Sequence, residues 1–198
     1  MSQFSNTDDL RSRIISVADS CFAELGVREC SLSLIAERAG VELDDLKDQF
    51  HSKNILALTV QVKALEAVQK EYLANMPDAS LEEAIKFIIR TRCEFVEKNV
   101  DRTALFFQNA LKGVQPWSKM LDEAIWQLSV EFASLFEKSA CKGEIKKGTD
   151  INVAVRALTS FYLTGIITMG LRAETFSVDA VWDFIEPQVD MLLSGVLT

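Results

Sequence analysis

The sequence predicts an all-α fold, on three observations. Apolar residues recur at three- and four-residue spacing in one segment after another, helix-starting and helix-stopping residues bracket those segments, and no stretch sustains two-residue alternation rich in β-branched residues. About nine helices account for nearly all of the 198 residues.

Leu10, Ile14, Val17, Ala18, Cys21, Phe22 and Leu25 form one stripe, predicting a helix over about 8–25 that halts at Gly26. A short amphipathic helix over 32–39 follows, with Leu32, Ile35, Ala36 and Ala39 inward, and Gly40 supplies the positive φ of a tight turn. Val41, Leu46 and Phe50 are the buried face of the next helix, over about 43–49. Ser52 is an N-cap for a long helix through Asn75 that joins two lobes and ends at Met76-Pro77. Ser80-Leu-Glu-Glu83 reads as a capping box for a helix to about Asn99 with Ala84, Phe87, Ile88, Thr91 and Phe95 on one side. Asp101 starts a shorter helix to about Leu111, halted near Gly113 and Pro116. Trp117 to Cys141 is helical, 142–148 is a polar loop with two glycines, Asp150 caps a helix to about Arg172, and Ser177 starts a last helix to about Leu193.

With 48% hydrophobic residues the chain can bury a substantial core, and its net charge of −8 gives no global attraction to nucleic acid or to an anionic membrane. Any DNA contact must be local. Cys21, Cys30, Cys93 and Cys141 show no C-x-x-C spacing and His51 is the only histidine, so no metal site or cofactor is expected and the thiols read as small hydrophobes in a reducing compartment. The start of the chain carries no basic-then-apolar leader, and the apolar run 157–171 is interrupted by Thr159, Ser160, Thr164 and Thr168 and falls short of the roughly 20 residues of a bilayer span. The expectation is a soluble, cytoplasmic protein with no membrane partner. No catalytic residues are assigned. Glycine-rich phosphate loops and nucleophile elbows are absent, and pairs such as Glu82–Glu83 or Asp44–Asp45 diverge on a helix instead of converging on a substrate.

Residues 31–53 are laid out as a helix-turn-helix, yet Glu42, Asp44, Asp45 and Asp48 stand where a DNA-reading helix would be neutral or basic. Residues 41–50 carry a formal −3, and residues 1–53 hold six Lys or Arg (Arg11, Arg13, Arg28, Arg38, Lys47, Lys53) against ten Asp or Glu. First-turn acids have a structural reading, since each stabilises the helix dipole by about 0.3–1 kcal/mol, but Asp48 lies beyond that turn.

The combination Phe22-Ala-Glu-Leu-Gly26, Ser31, Ile35-Ala-Glu-Arg-Ala-Gly-Val41, Leu46, Phe50, Ser52 and Lys53, with Leu56 and Val60 beyond, resembles TetR/AcrR-type transcriptional regulators. A second, weaker match is Gly143-Glu-Ile145 followed by Asp150, Ala154, Leu158 and Gly165. The resemblance implies a homodimer with a DNA-binding head at 1–53 and a helical ligand-binding and dimerisation domain at 54–198. It also implies that an effector moves the fourth helix and so resets the spacing of the two heads. By the same resemblance Ser31 and Lys53 contact phosphate. Lys47 is the candidate for a base edge, and Gln49 completes the DNA set. The chain departs from the family pattern at Glu42, Leu43, Asp44 and Asp45, where small residues normally let the helix N-terminus approach phosphate.

Phe87, Phe95, Phe106, Phe107, Trp117, Trp126, Phe132, Phe136, Phe161 and Tyr162 suit an apolar cavity for a small, largely apolar effector, with Arg90, Arg92, Glu94 and Gln108 as polar anchors, though helically spaced aromatics more often make plain core and the anchors equally suit a solvated face. The helices at 150–172 and 178–193 are apolar on more than one side, which is explained by a partner subunit meeting Leu158, Phe161, Gly165, Val181, Phe184, Ile185, Val189 and Leu192, or by a well-covered monomer core. Two functional readings follow: a ligand-responsive regulator acting on duplex DNA, weakened by its acidic second helix, and a protein that kept this fold, lost DNA binding and serves as an interaction or ligand-binding module.

Overall fold

The computed structural model describes residues 3–76 and 79–198. Among them the chain forms α1 (Gln3–Glu29), α2 (Leu32–Ala39), α3 (Leu43–Phe50), α4 (Lys53–Ala74), α5 (Leu81–Lys98), α6 (Val100–Leu111), α7 (Trp117–Cys141), α8 (Ile151–Gly165), a π-helical segment (Ile166–Leu171) continuing α8, and α9 (Val178–Val196). The fold is all-α. The extended pairing found among the described residues is a single antiparallel bridge between Ile145 and Leu197.

The caps explain most boundaries. The hydroxyl of Ser31 accepts from Leu34 N–H at 3.1 Å, that of Ser52 from Ile55 N–H at 3.2 Å, and the Asp150 carboxylate from Val153 N–H at 3.1 Å. The expected capping box is complete, because Ser80 Oγ accepts from Glu83 N–H while Glu83 Oε2 accepts from Ser80 N–H at 2.9 Å. Pro77, expected to stop α4, lies outside the described residues. α1 differs from expectation: helical structure resumes after Gly26, whose φ of 76° and ψ of 159° are non-helical, and runs on to Glu29. A glycine takes that conformation at little cost, and the kink sends Val27 and Cys30 into the core. α9 passes the expected Leu193 to reach Val196, and the loop before α8 fastens its end. Lys146 N–H donates to Val196 O at 2.8 Å, its ammonium to Ser194 O at 2.9 Å, and Thr198 N–H to Glu144 O at 3.0 Å.

Two compact units result, Met1–Ala67 with Asp101–Phe106, and Val68–Val100 with Phe107–Thr198. Compaction thus divides α4 further along than residue 53, because Leu56, Ala57 and Val60 belong to the first core. That core gathers Ile14, Ala18, Phe22, Ile35, Leu46 and Phe50. Arg102 on α6 is buried and ion-paired with Asp19, and Gln61 donates to Thr103 Oγ1 at 3.0 Å.

The second unit is built on α5, α7, α8 and α9, with Ile85, Ile88, Phe132, Phe136, Leu158, Ile185 and Val189 wholly buried. Gly165 permits a close crossing: a Cβ there would sit 2.6 Å from both Cδ1 and Cγ1 of Ile185. The run Ile151–Leu171 is long and apolar enough by composition to cross a membrane, longer than the stretch the sequence marked, but its Leu158 and Ile166 lie inside this core. It is read as a core helix.

Candidate nucleic-acid interface and ligand cleft

The helix-turn-helix forms as its spacing requires. α2 ends at Gly40 in the left-handed region (φ 62°, ψ 43°), whose N–H turns back to Ala36 O and Glu37 O, and Val41 N–H reaches Ala36 O at 3.0 Å. α3 is then fixed by Leu46 and Phe50, both fully buried. The Arg11 guanidinium lies 4.4 Å over the Phe50 ring and donates to Gln49 O at 3.1 Å, occupying a carbonyl at the end of α3. His51 closes the helix at φ 52°, with its N–H on Lys47 O at 2.7 Å.

Glu42, Asp44, Asp45, Lys47 and Asp48 are exposed, and Gln49 is half-buried. The expected DNA-contacting cations are engaged elsewhere. Lys47 Nζ lies 3.5 Å from Asp44 Oδ1, and Lys53 Nζ donates to Arg28 O at 2.9 Å and Cys30 O at 3.0 Å, satisfying carbonyls at the end of α1. Arg38 is bound by Glu24 at 2.6 Å. Exposed Arg13 and Arg28 make no ion pair among the described residues. Ser31 is exposed, with its oxygen used as the α2 cap and its hydroxyl proton available to an outside acceptor. The sequence could not show that Lys53 is a helix-end clasp, since the contact spans 25 residues.

In the second unit a cleft of about 240 Å³ lies between α4 and α5, lined by Val68, Glu71, Tyr72, Asn75, Phe87, Thr91, Glu94, Phe95 and Lys98. The α4 residues fall at i, i+3, i+4 and i+7, so one helical stripe faces the cleft. Tyr72 and Phe95 are buried, while Glu71, Asn75, Glu94 and Lys98 form an exposed rim.

Around Tyr72 is a buried polar network. Arg92 Nη2 donates to Tyr72 Oη at 2.9 Å and lies 3.3 Å from Glu131 Oε2, and Tyr72 Oη donates to the same carboxylate at 2.5 Å. Gln69 Nε2 donates to the other Glu131 oxygen. The Arg92 and Glu131 side chains keep 6% and 9% of their exposure, so this pair is desolvated. Burial opposes the Arg92 charge, but Tyr162, Tyr72 and Glu131 outweigh it and the guanidinium is held more firmly protonated than usual. Burial pushes both the Tyr72 and Tyr162 phenols up, keeping them neutral. Arg92 Nε has no hydrogen-bond partner among the described residues.

The aromatic set expected to line a cavity divides. Phe87 and Phe95 line the cleft. Phe106 belongs to the first unit. Trp117, Phe132, Phe136 and Tyr162 are core, and Phe107 and Phe161 are partly buried against it. Trp126 is 67% exposed and does not line the cleft. Of the polar anchors, Glu94 lines the cleft and Arg92 lies in the buried network, whereas Arg90 is exposed, 3.1 Å from Asp179, and Gln108 is exposed. Val68, Glu71, Tyr72 and Asn75 are absent from the expected lining because the sequence presents α4 as a connector between two lobes. The stripe spacing was the available signal.

The expected interface residues divide too. Leu158, Gly165, Val181, Ile185 and Val189 are instead buried in the chain's own core, because α8 crosses α9 so closely, and leave no surface for a partner. Phe161, Phe184 and Leu192 stay partly exposed, alongside Val153 at 50% and Met191 at 68%.

No protein-family model and no curated protein matches the sequence. Solved structures do match over nearly the whole chain. A TetR-family transcriptional regulator from Cytophaga hutchinsonii superposes with a TM-score of 0.73 at 16% identity, covering 98% of this chain and 97% of that one. A TetR/AcrR-family regulator from Thermobifida fusca gives 0.67 at 21% identity over 94% and 98%. FadR of Bacillus subtilis, in complex with stearoyl-CoA, gives 0.64 at 19% identity over 93% and 98%. The fold is that of TetR-family regulators.

Proposed function

We propose that this chain, folded as the TetR-family regulators are, is itself a non-enzymatic, dimeric regulator of transcription that meets duplex DNA through residues 31–53 and responds to a small effector. The observation that carries the reading is the helix-turn-helix in its whole-chain context: α2, the left-handed Gly40 turn, and α3 pinned by Leu46 and Phe50. The cleft on α4 and α5 is the effector site in this proposal. The stearoyl-CoA held by one structural neighbour supports a binding role for the fold. α4 is the coupling element, since Lys53 in its first turn holds the end of α1 while Val68, Glu71, Tyr72 and Asn75 line the cleft. Phe161, Phe184 and Leu192, with Val153 and Met191, are the apolar surface offered to the second subunit.

On DNA, Ser31 donates its hydroxyl to phosphate and Lys47 and Gln49 face the groove. The acids make this contact weak. A unit charge about 6 Å from a phosphate costs roughly 0.7 kcal/mol in water. Replacing Asp44, Asp45 and Asp48 by Asn therefore recovers ~2 kcal/mol per head, or roughly thirtyfold, and also frees Lys47 from Asp44. Fluorescence anisotropy of a labelled nonspecific duplex across a salt series tests this. Expected are weak capture by the wild type at low salt, falling steeply as salt rises, and stronger capture by the triple variant. Absence of capture by both proteins at every salt overturns the DNA reading and favours the interaction-module alternative.

A further inference from the structure

We infer that the cleft between α4 and α5 takes an organic monocation, a quaternary or protonated amine carried on an apolar body. The inference rests on this cleft being the effector site proposed above. Its lining includes three aromatic side chains, Tyr72, Phe87 and Phe95; the Tyr72 ring already has the Arg92 guanidinium 5.6 Å from its centroid, so Phe87 and Phe95 are the rings proposed to meet a cation. Its exposed rim carries two carboxylates, Glu71 and Glu94, against one ammonium, Lys98. The lining includes the last turns of both helices, Glu71 and Tyr72 on α4 and Phe95 and Lys98 on α5, where the backbone dipole is negative, although the Asn75 and Asn99 side chains already donate to Glu71 O at 2.9 Å and Phe95 O at 2.8 Å.

The opposing charges are accounted for. Arg92 is neutralised by Glu131 within the buried network. Arg90 lies 3.9 Å from Glu94 but is closer, at 3.1 Å, to Asp179, so it holds Glu94 loosely. Lys98, the cation within the lining itself, makes no ion pair among the described residues and competes for the rim acids. Because that rim is exposed, a bound cation keeps part of its hydration and avoids most of the desolvation cost that a sealed cavity would exact. The largely apolar effector expected from the sequence therefore acquires one positive charge.

The test compares two probes of the same shape, benzyltrimethylammonium and its neutral carbon isostere neopentylbenzene, titrated onto the full-length protein and followed by ligand-observed NMR. The cation is expected to bind about fivefold or more tighter. Glu71→Gln with Glu94→Gln removes most of that difference and leaves the isostere unchanged. Lys98→Gln raises the cation affinity a few-fold and also leaves the isostere unchanged, a gain that damage to the fold cannot produce. Phe87→Ala weakens both probes. Equal or tighter binding of the isostere overturns the inference and leaves the effector site standing. Binding of neither probe overturns the inference together with the cleft as effector site.

Discussion

Glu131→Gln is the sharpest probe of the second unit, because it changes one charge and almost no volume. The Arg92 guanidinium retains 6% of its exposure and has Glu131 as its counterion, so the variant leaves a buried cation paired only with neutral groups. Breaking such a pair from one side costs about 3–5 kcal/mol. The Tyr72 bond at 2.5 Å also falls from a charged acceptor to a neutral one. A melting temperature lower by roughly 10–20 °C is expected for a unit of this size. Tryptophan fluorescence in urea reads the effect cleanly, since the three tryptophans, Trp117, Trp126 and Trp182, all belong to that unit, and Trp117 and Trp182 are buried reporters. Removing both charges and the stranded hydroxyl in Arg92→Met/Glu131→Leu/Tyr72→Phe should restore most of the loss, because no uncompensated charge remains. A cost for Glu131→Gln below about 1 kcal/mol would refute the account of Glu131 as counterion to a desolvated guanidinium.

Two further outcomes follow from the same structure. Gly165→Ala places a methyl 2.6 Å from Ile185 and should cost about 1–3 kcal/mol, with a smaller cost in an Ile185→Ala background; strictly additive losses in that cycle would show that the two do not touch. Glu83 is held below its usual 4.5 by the Ser80 backbone and hydroxyl, so the capping stabilisation is complete above about 4.5 and is lost as pH falls through the lower folded value. Ser80→Ala should therefore lower the urea midpoint at pH 7 and flatten its decline in acid, and an unchanged acid profile would count against the box.

Periodicity and caps made most of the fold legible, because both are local. Ser52, Ser80, Asp150 and Ser177 each start the helix their spacing announced. Gly40 likewise marked its turn. The sites were less legible, because they depend on contacts between distant segments. Tyr72 meets Glu131 across 59 positions and Arg92 across 20, so no window of sequence reveals that an α4 residue forms both a cleft wall and a core hydrogen bond. The apolar excess of α8 and α9 has the same ambiguity: most of it is buried within the chain, where Gly165 admits Ile185, and only Phe161, Phe184 and Leu192 of the expected interface keep free surface. Net charge located the acidic face of α3 correctly but could not show that Lys47 and Lys53 already have acceptors.

The Lys53 clasp sets grip against order. An outside anion that recruits this ammonium strips two carbonyls of their donor and loosens the last turn of α1, so faster amide exchange beyond Gly26 would accompany tighter hold on a polyanion.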